Sequence, residues 1–191
     1  MKSFYIKCLA VILVIAIAIG FGFAYDAILT LIEKLNYPMP EQYAEFISYY
    51  SQKYSVPERI LYATIKTESN FDSGAVSRAG AIGLMQMMPS TFEWISCDLL
   101  REDLDVGMLY DPETNIRYGT YYLSYLYAKF DSWTNTFAAY NLGETKVSEL
   151  LSDPRYVDEN GDLKNIPVSE TRTYVSKINS AISKYSRLYG I

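Results

Sequence analysis

The feature that most constrains this chain is a run with no charge and no proline from Cys8 to Ala24. With Phe4 to Ile6 added and Lys7 free to snorkel, the run reaches 21 residues. At about 1.5 Å per helical residue that is roughly 30 Å, the thickness of a bilayer core. Such a run reads as a transmembrane helix. Lys2 and Lys7 precede it, and Asp26 and Glu33 follow it, so the positive-inside rule sends the rest of the chain out of the cytoplasm. A signal peptide cleaved after Ala24 is the competing reading. The run is long for a signal sequence, and apolar residues continue through Ala27, Ile28 and Leu29, so an uncleaved anchor is favoured. The division expected is therefore anchor or signal at 1–24, a juxtamembrane stalk at 25–37 and one domain at 38–191. A domain of that length holds a single core.

Composition narrows the chemistry. The 191 residues include no histidine and two cysteines, Cys8 and Cys97. No Ser-His-Asp triad, Cys-His nucleophile or histidine-ligated metal is available. Any general acid or base must be Glu, Asp, Tyr, Lys or Cys. No metal and no cofactor is expected. With the first 24 residues set aside, 15 basic and 22 acidic residues remain, a balance of −7. That argues against a nucleic-acid partner. The 19 tyrosines read either as amphipathic packing at the rim of a core or as a sugar-binding groove.

Periodicity predicts a mostly α protein of six or seven helices with almost no sheet. A first helix starts near Pro40, with Tyr43, Phe46, Ile47, Tyr50 and Tyr54 on one stripe. A second opens at a capping box, Ser55 to Glu58, and runs to about Ser69. Residues 72–86 read as loop, and Pro89 to Ile95 as a short helix. Asp98 to Asp111 reads as a solvated acidic loop, and Cys97 as buried. Asp111 and Pro112 cap a long helix with Ile116, Gly119, Leu123, Leu126 and Phe130 inward. Trp133 to Tyr140 is a short apolar helix. Asn160-Gly161 is a hairpin-type turn between two very short strands. The acidic stretch there places its glycine two positions early for a calcium loop, so a turn is preferred. Ser169 caps the last helix, with Val175, Ile178, Ile182 and Tyr185 inward and a stop at Gly190.

One residue breaks the pattern. Leu61, Thr64, Ile65 and Glu68 fall at i, i+3, i+4 and i+7, on one helix face. That face is the apolar one, so a carboxyl stands where a core residue would. Desolvation and the negative end of the helix dipole both raise its pKa. A carboxylic acid still protonated near neutral pH is suited to protonating a poor leaving group such as a sugar oxygen. A helix-terminal glutamate turned out to solvent is the other reading of the pattern.

Four blocks in order go further. They are Glu68-Ser69-Asn70-Phe71; Ala75-Val76-Ser77 with Gly80 to Pro89, which contains Gly83-Leu84-Met85-Gln86; Ala139-Tyr140-Asn141; and Glu170-Thr171-Arg172 with Tyr174-Val175. Asp111-Pro112-Glu113 with Asn115-Ile116 is a weaker fifth. Together the chain resembles the soluble lytic transglycosylases, relatives of goose-type lysozyme, over roughly residues 55–178. The resemblance implies a lysozyme-like helical domain that cleaves the β-1,4 bond between N-acetylmuramic acid and N-acetylglucosamine in peptidoglycan glycan strands. It implies one catalytic carboxyl, Glu68, acting first as acid and then as base, and 1,6-anhydro products. Asp72 and Glu170 are candidate second carboxylates. By the same resemblance Ser77, Gln86, Met88, Tyr140, Glu170 and Tyr174 line the substrate cleft. Gly80 and Gly83 are read as turn formers, and Met85 as a sugar-ring platform or core filling. Tyr140 is read as a hydroxyl for Glu68 or the acetamide group, and Asn141 as a brace.

Two alternatives remain open at this level: a hydrolytic lysozyme on the same fold, or a non-catalytic wall-binding scaffold. Partners expected are peptidoglycan, the membrane through residues 4–24, and an envelope-spanning machine that needs a local gap in the wall. The expected location is membrane-anchored with the domain extracytoplasmic, or secreted if the chain is cut after Ala24.

Overall fold

The computed structural model describes the backbone of residues 2–191 and the side chains of residues 5, 13, 15 and 17–191. The helices are α1 (Lys2–Asn36), α2 (Glu41–Tyr54), α3 (Glu58–Glu68), α4 (Pro89–Glu93), α5 (Pro112–Phe130), α6 (Trp133–Leu142), α7 (Glu144–Leu151) and α8 (Ser169–Tyr189). A π-helical stretch, Trp94–Leu100, continues α4, and a 3-10 turn, Val106–Tyr110, precedes α5. Among the described residues there are no strands, only isolated antiparallel bridges: Val76 with Ile82, Ile82 with Met87, and Val157 with Leu163. The mostly α fold class holds.

The chain divides into two compact units, Met1–Pro38 and Met39–Ile191. The first is α1, which is 35 residues long and includes residues 25–36, read above as a stalk. Its described apolar side chains, Phe21 and Phe23 among them, are exposed. Of the 21 residues of the expected membrane-spanning run, 4–24, ten have side chains outside those described. Among the described residues no helix is long and apolar enough to cross a membrane.

In the second unit, α3 packs chiefly against α8, α5 against α2 and α6, and α6 against α8. Leu61, Ile65, Ile116, Leu123, Leu126, Phe137 and Ile178 are fully buried at these contacts. Each stabilises the fold by about 1.5–3 kcal/mol through apolar burial. A smaller cluster of Phe92, Ile95, Leu109, Tyr118, Ile82 and Met87 seats α4 and the turns beside it.

Most element ends follow the sequence reading. The Asp111 side chain accepts from the Thr114 amide at 2.9 Å and the Thr114 hydroxyl at 2.8 Å, capping α5. Gly190 ends α8 in the left-handed region, at φ 72°. Gly161, at φ 86°, turns the chain between the paired Val157 and Leu163.

Five readings are corrected. Ser55 does not cap α3. It stands at φ 55°, and the Val56 amide donates to the Ser51 carbonyl at 3.0 Å, so Ser55 closes α2 in a Schellman-type turn. Pro57 occupies the start of α3 without a side-chain cap. Ser169 is the first residue of α8 and makes no cap; Val168 precedes it in extended geometry. The supposed acidic loop is largely ordered as the π-helix and the 3-10 turn, and Cys97 is exposed on that π-helix. Ile182 is only half-buried while Ala181 is buried, because the inward stripe of α8 runs Thr171, Tyr174, Val175, Ile178, Ala181, Tyr185.

The tyrosines serve packing to a large degree. Tyr62 packs with Tyr185 at 5.6 Å between ring centroids, and Phe92 with Tyr118 at 4.5 Å. Trp133 lies between Tyr127 at 4.3 Å and Phe137 at 5.6 Å. Trp94 meets Tyr125 edge-on at 5.2 Å and Tyr122 at 6.5 Å, and Tyr122 contacts Tyr140 at 5.4 Å.

Candidate active site

Glu68 is the last residue of α3. The apolar face that carries it packs against α8, which delivers Tyr174 from its second turn. The Tyr174 hydroxyl donates to Glu68 Oε1 at 2.7 Å. Burial drives the Glu68 pKa up to about 7, against a smaller downward pull from the Tyr174 bond. Of the two readings the helix pattern left open, the desolvated acid and the glutamate turned to solvent, Glu68 takes the first. Burial also pushes the hydroxyls of Tyr140 and Tyr174 well above the ordinary tyrosine range, with the Glu68 charge adding to it. Both stay protonated donors at any physiological pH.

The chain leaves α3 under strain. Asn70 and Phe71 both have positive φ, 53° and 67°. For a bulky residue such as phenylalanine this conformation costs on the order of 1–2 kcal/mol. It is held because the Phe71 ring stacks on Tyr43 at 6.4 Å and also meets Tyr62 at 6.4 Å. Ser69 ties the same corner down, its hydroxyl donating to the Leu84 carbonyl at 2.8 Å.

Residues 72–88 form a rim whose last three residues line a recess beside the site, and Asn115 of α5 organises them. Fully buried, Asn115 accepts from the Met85 amide at 2.7 Å and donates to the carbonyls of Ile82 at 2.9 Å and Leu109 at 2.8 Å. Gly83, at φ 79°, faces it closely: a Cβ there would stand 2.2 Å from Asn115 Nδ2. A Cβ on Gly119 would stand 2.5 Å from the Met85 sulfur. Met85 is fully buried, so it fills core. Asn115 appeared in the sequence only as part of the weakest block; a buried amide with three partners leaves no periodic trace.

The residues expected in the cleft fall into two groups. Around Glu68 a cleft of about 420 Å³ is lined by Thr67, Asn141, Glu170, Thr173, Tyr174 and Lys177, with Ser169 at its edge. Beside it lies a recess of about 250 Å³ lined by Gln86, Met88, Thr91, Tyr122, Tyr140 and Asn141. Asn141 lines both. Met88 is partly exposed there. The Tyr140 hydroxyl donates to the Met85 carbonyl at 2.8 Å, so it braces the rim, with its ring facing the recess. Gln86 stands at φ 50°, and its amide donates to the carbonyls of Ala75 at 3.1 Å and Gly83 at 2.9 Å. Ser77 lies outside both cavities; its hydroxyl accepts from the Ala81 amide at 3.0 Å and fixes the turn around Gly80. Asp72 is exposed and accepts from the Gly74 amide at 2.9 Å. Thr67, Thr173 and Lys177 were not singled out in the sequence. Among the described residues no group of three His, Cys, Asp or Glu side chains is placed to hold a metal ion.

What the helices hold is a cleft site built around one desolvated carboxyl group in an α-helical domain. The chain belongs to the Transglycosylase SLT domain family, whose sequence model matches residues 45–161. That segment contains Glu68, Ser77, Gln86, Met88 and Tyr140, while Glu170 and Tyr174 lie beyond it. The chain is 32% identical over 163 residues to the soluble lytic murein transglycosylase of Escherichia coli K12, covering 84% of this chain and 25% of that one. It is 32% identical to the membrane-bound lytic murein transglycosylase C of Salmonella typhi, covering 76% of this chain and 47% of that one. The crystal structure of the 70-kDa soluble lytic transglycosylase of Escherichia coli superposes with a TM-score of 0.73 at 30% identity, covering 83% of this chain and 26% of that one. This chain thus spans a quarter to a half of the length of these relatives.

Proposed function

We propose that the protein is a peptidoglycan lytic transglycosylase that cleaves the β-1,4 bond between N-acetylmuramic acid and N-acetylglucosamine, with Glu68 as its single catalytic carboxyl. The observation that carries this reading is the Glu68 carboxyl, desolvated to a pKa of about 7 and held by Tyr174 at the edge of an open cleft. A group poised near neutral pH serves in both directions within one cycle. As acid, Glu68 gives its proton to the glycosidic oxygen as the C1–O bond breaks. The substrate's own acetamido group stabilises the electron-poor C1. As carboxylate, steadied by the Tyr174 hydroxyl, Glu68 takes the proton from the muramic C6 hydroxyl, whose oxygen bonds to C1. The proton balance closes and a 1,6-anhydro sugar results, with no water consumed. The names of the relatives support the reaction class.

The same reading puts the domain outside the cytoplasm, tethered through residues 4–24. Its support is the pair Lys2 and Lys7 before an uncharged run and the existence of a membrane-bound relative. There an envelope-spanning machine would find the enzyme it needs to open the wall.

The test is digestion of purified peptidoglycan by the full chain in detergent, with products identified by mass. Products one water lighter than those of lysozyme, absent with Glu68→Gln, are expected. Hydrated reducing ends would make the protein a lysozyme. Absence of product with the native chain would leave a wall-binding scaffold.

A further inference from the structure

Past the uncharged run, α1 stays helical through residues 25–36, about 18 Å of further helix. Here the sequence becomes two-sided. Phe21, Tyr25, Ile28, Ile32 and Leu35 advance in alternating steps of four and three. That alternation keeps a stripe on the side of a helix that pairs with another helix. It runs back in the sequence, in the same register, through Ala18, Val14 and Val11. Asp26, Thr30, Glu33 and Lys34 fall on the other side. Tyr25, Ile28, Ile32 and Leu35 are all exposed, Leu35 to 72%. A row of large apolar side chains standing in water gains by being covered.

Two features say what covers it. The positions flanking the stripe are Ala24, Leu29, Leu31 and Asn36, none of them charged. Charges at such positions reject an identical helix or select a different partner. Here an identical helix brings no like charges together, and Leu29 and Leu31 widen the apolar contact. The outer side, in turn, carries two acids and one lysine. A helix lying on a lipid surface is rich in Lys and Arg on that side. No proline turns this segment away from the axis of α1, which is one unbroken helix.

We propose that residues 25–36 of α1 pair in parallel with the same segment of a second copy of this chain, through the stripe of Tyr25, Ile28, Ile32 and Leu35. The parallel sense follows from the stripe running on into the uncharged segment, since only that arrangement sets each segment beside its own counterpart. Pairing brings two catalytic domains to one place on the wall. It does not depend on the chemistry at Glu68.

Single cysteines along α1 test it, in the full chain with Cys8→Ser and Cys97→Ser, under mild oxidation in detergent and in membranes. Disulfide-linked dimer is expected to form several-fold more with Ile28→Cys, Ile32→Cys or Leu35→Cys than with Thr30→Cys, Glu33→Cys or Lys34→Cys. In sedimentation the native full chain in detergent should have the mass of two chains. Ile28→Lys combined with Ile32→Lys should have the mass of one, with the melting midpoint of the domain unchanged. Equal cross-linking at all six positions overturns the proposal, as does a maximum on the Thr30 side or a native mass of one chain. None of these readouts requires activity, so the pairing and the reaction stand or fall separately.

Discussion

A carboxyl group that keeps its proton on folding ties stability to pH in one direction. The Glu68 pKa goes from 4.5 to about 7 in the folded chain, so between those values the folded state holds a proton that the unfolded state releases. Stability is full below about pH 4.5 and is lost as pH rises through 7. Glu68→Gln removes that liability. The variant is expected to be inactive yet to gain about 2 kcal/mol over the native chain between pH 5 and pH 8. For a domain of this size that is a rise in Tm of about 4–8 °C at pH 8 and little change at pH 5. Thermal melts at the two pH values check it, and equal differences at both would mean Glu68 ionises freely. Tyr174→Phe acts in the opposite sense on the carboxylate. The bond it deletes favours the charged form, so the Glu68 pKa rises further. The basic limb of the pH–rate profile should move up, with roughly ten-fold lower activity at neutral pH.

Between elements, the decisive joint is α5 against the 72–88 rim. Asn115→Ala would strand the Met85 amide and the carbonyls of Ile82 and Leu109. The expected loss is about 3 kcal/mol or more, read by urea denaturation. Gly83→Ala and Gly80→Ala provide a matched pair. Both glycines have positive φ, but a Cβ meets Asn115 only at Gly83 and finds open space at Gly80. Gly80→Ala should cost on the order of 1 kcal/mol from backbone strain. Gly83→Ala should cost clearly more and lower activity, since it displaces the rim.

These joints mark where legibility ended. Glu68 could be read from sequence because a charged residue in an apolar stripe is a contradiction visible at helical spacing. The α5 cap could be read because Asp before Pro at a helix start has one dominant use. The cap at Ser55 misled because Ser also tolerates the left-handed turn that ends the preceding helix, and local residue types do not say which helix wins. The π-helix and α7 are short, seven and eight residues, and give little periodic sequence to read; burial of Ile95 and Ser96 in the one and of Val147 and Leu150 in the other seats them. Ser77 and Gln86 were expected in the cleft by resemblance; Gln86 lines the recess and Ser77 neither cavity, because the choice between facing a substrate and bracing a turn is made by backbone geometry, which spacing does not encode.

At the scale of the molecule, Met39–Ile191 is a compact unit with its own core. A chain of residues 39–191 is expected to unfold cooperatively, with a midpoint within about 2 °C of the full chain in detergent. If residues 4–24 anchor the protein, only the full chain should sediment with membranes. Recovery of both forms in the same fraction would remove the anchor from the proposal.

The aromatic contacts have one more consequence, an optical one. With 19 tyrosines and two tryptophans, light absorbed by tyrosine drains to two emitters set in different places. Trp133 is enclosed between Tyr127 and Phe137 and reports the integrity of the helical packing. Trp94 sits one ring away from the recess, through Tyr122, so its emission is the one expected to change when the recess fills. The protein thus carries a built-in fluorescent gauge of occupancy beside an internal standard, and replacing either tryptophan by phenylalanine isolates the other's signal.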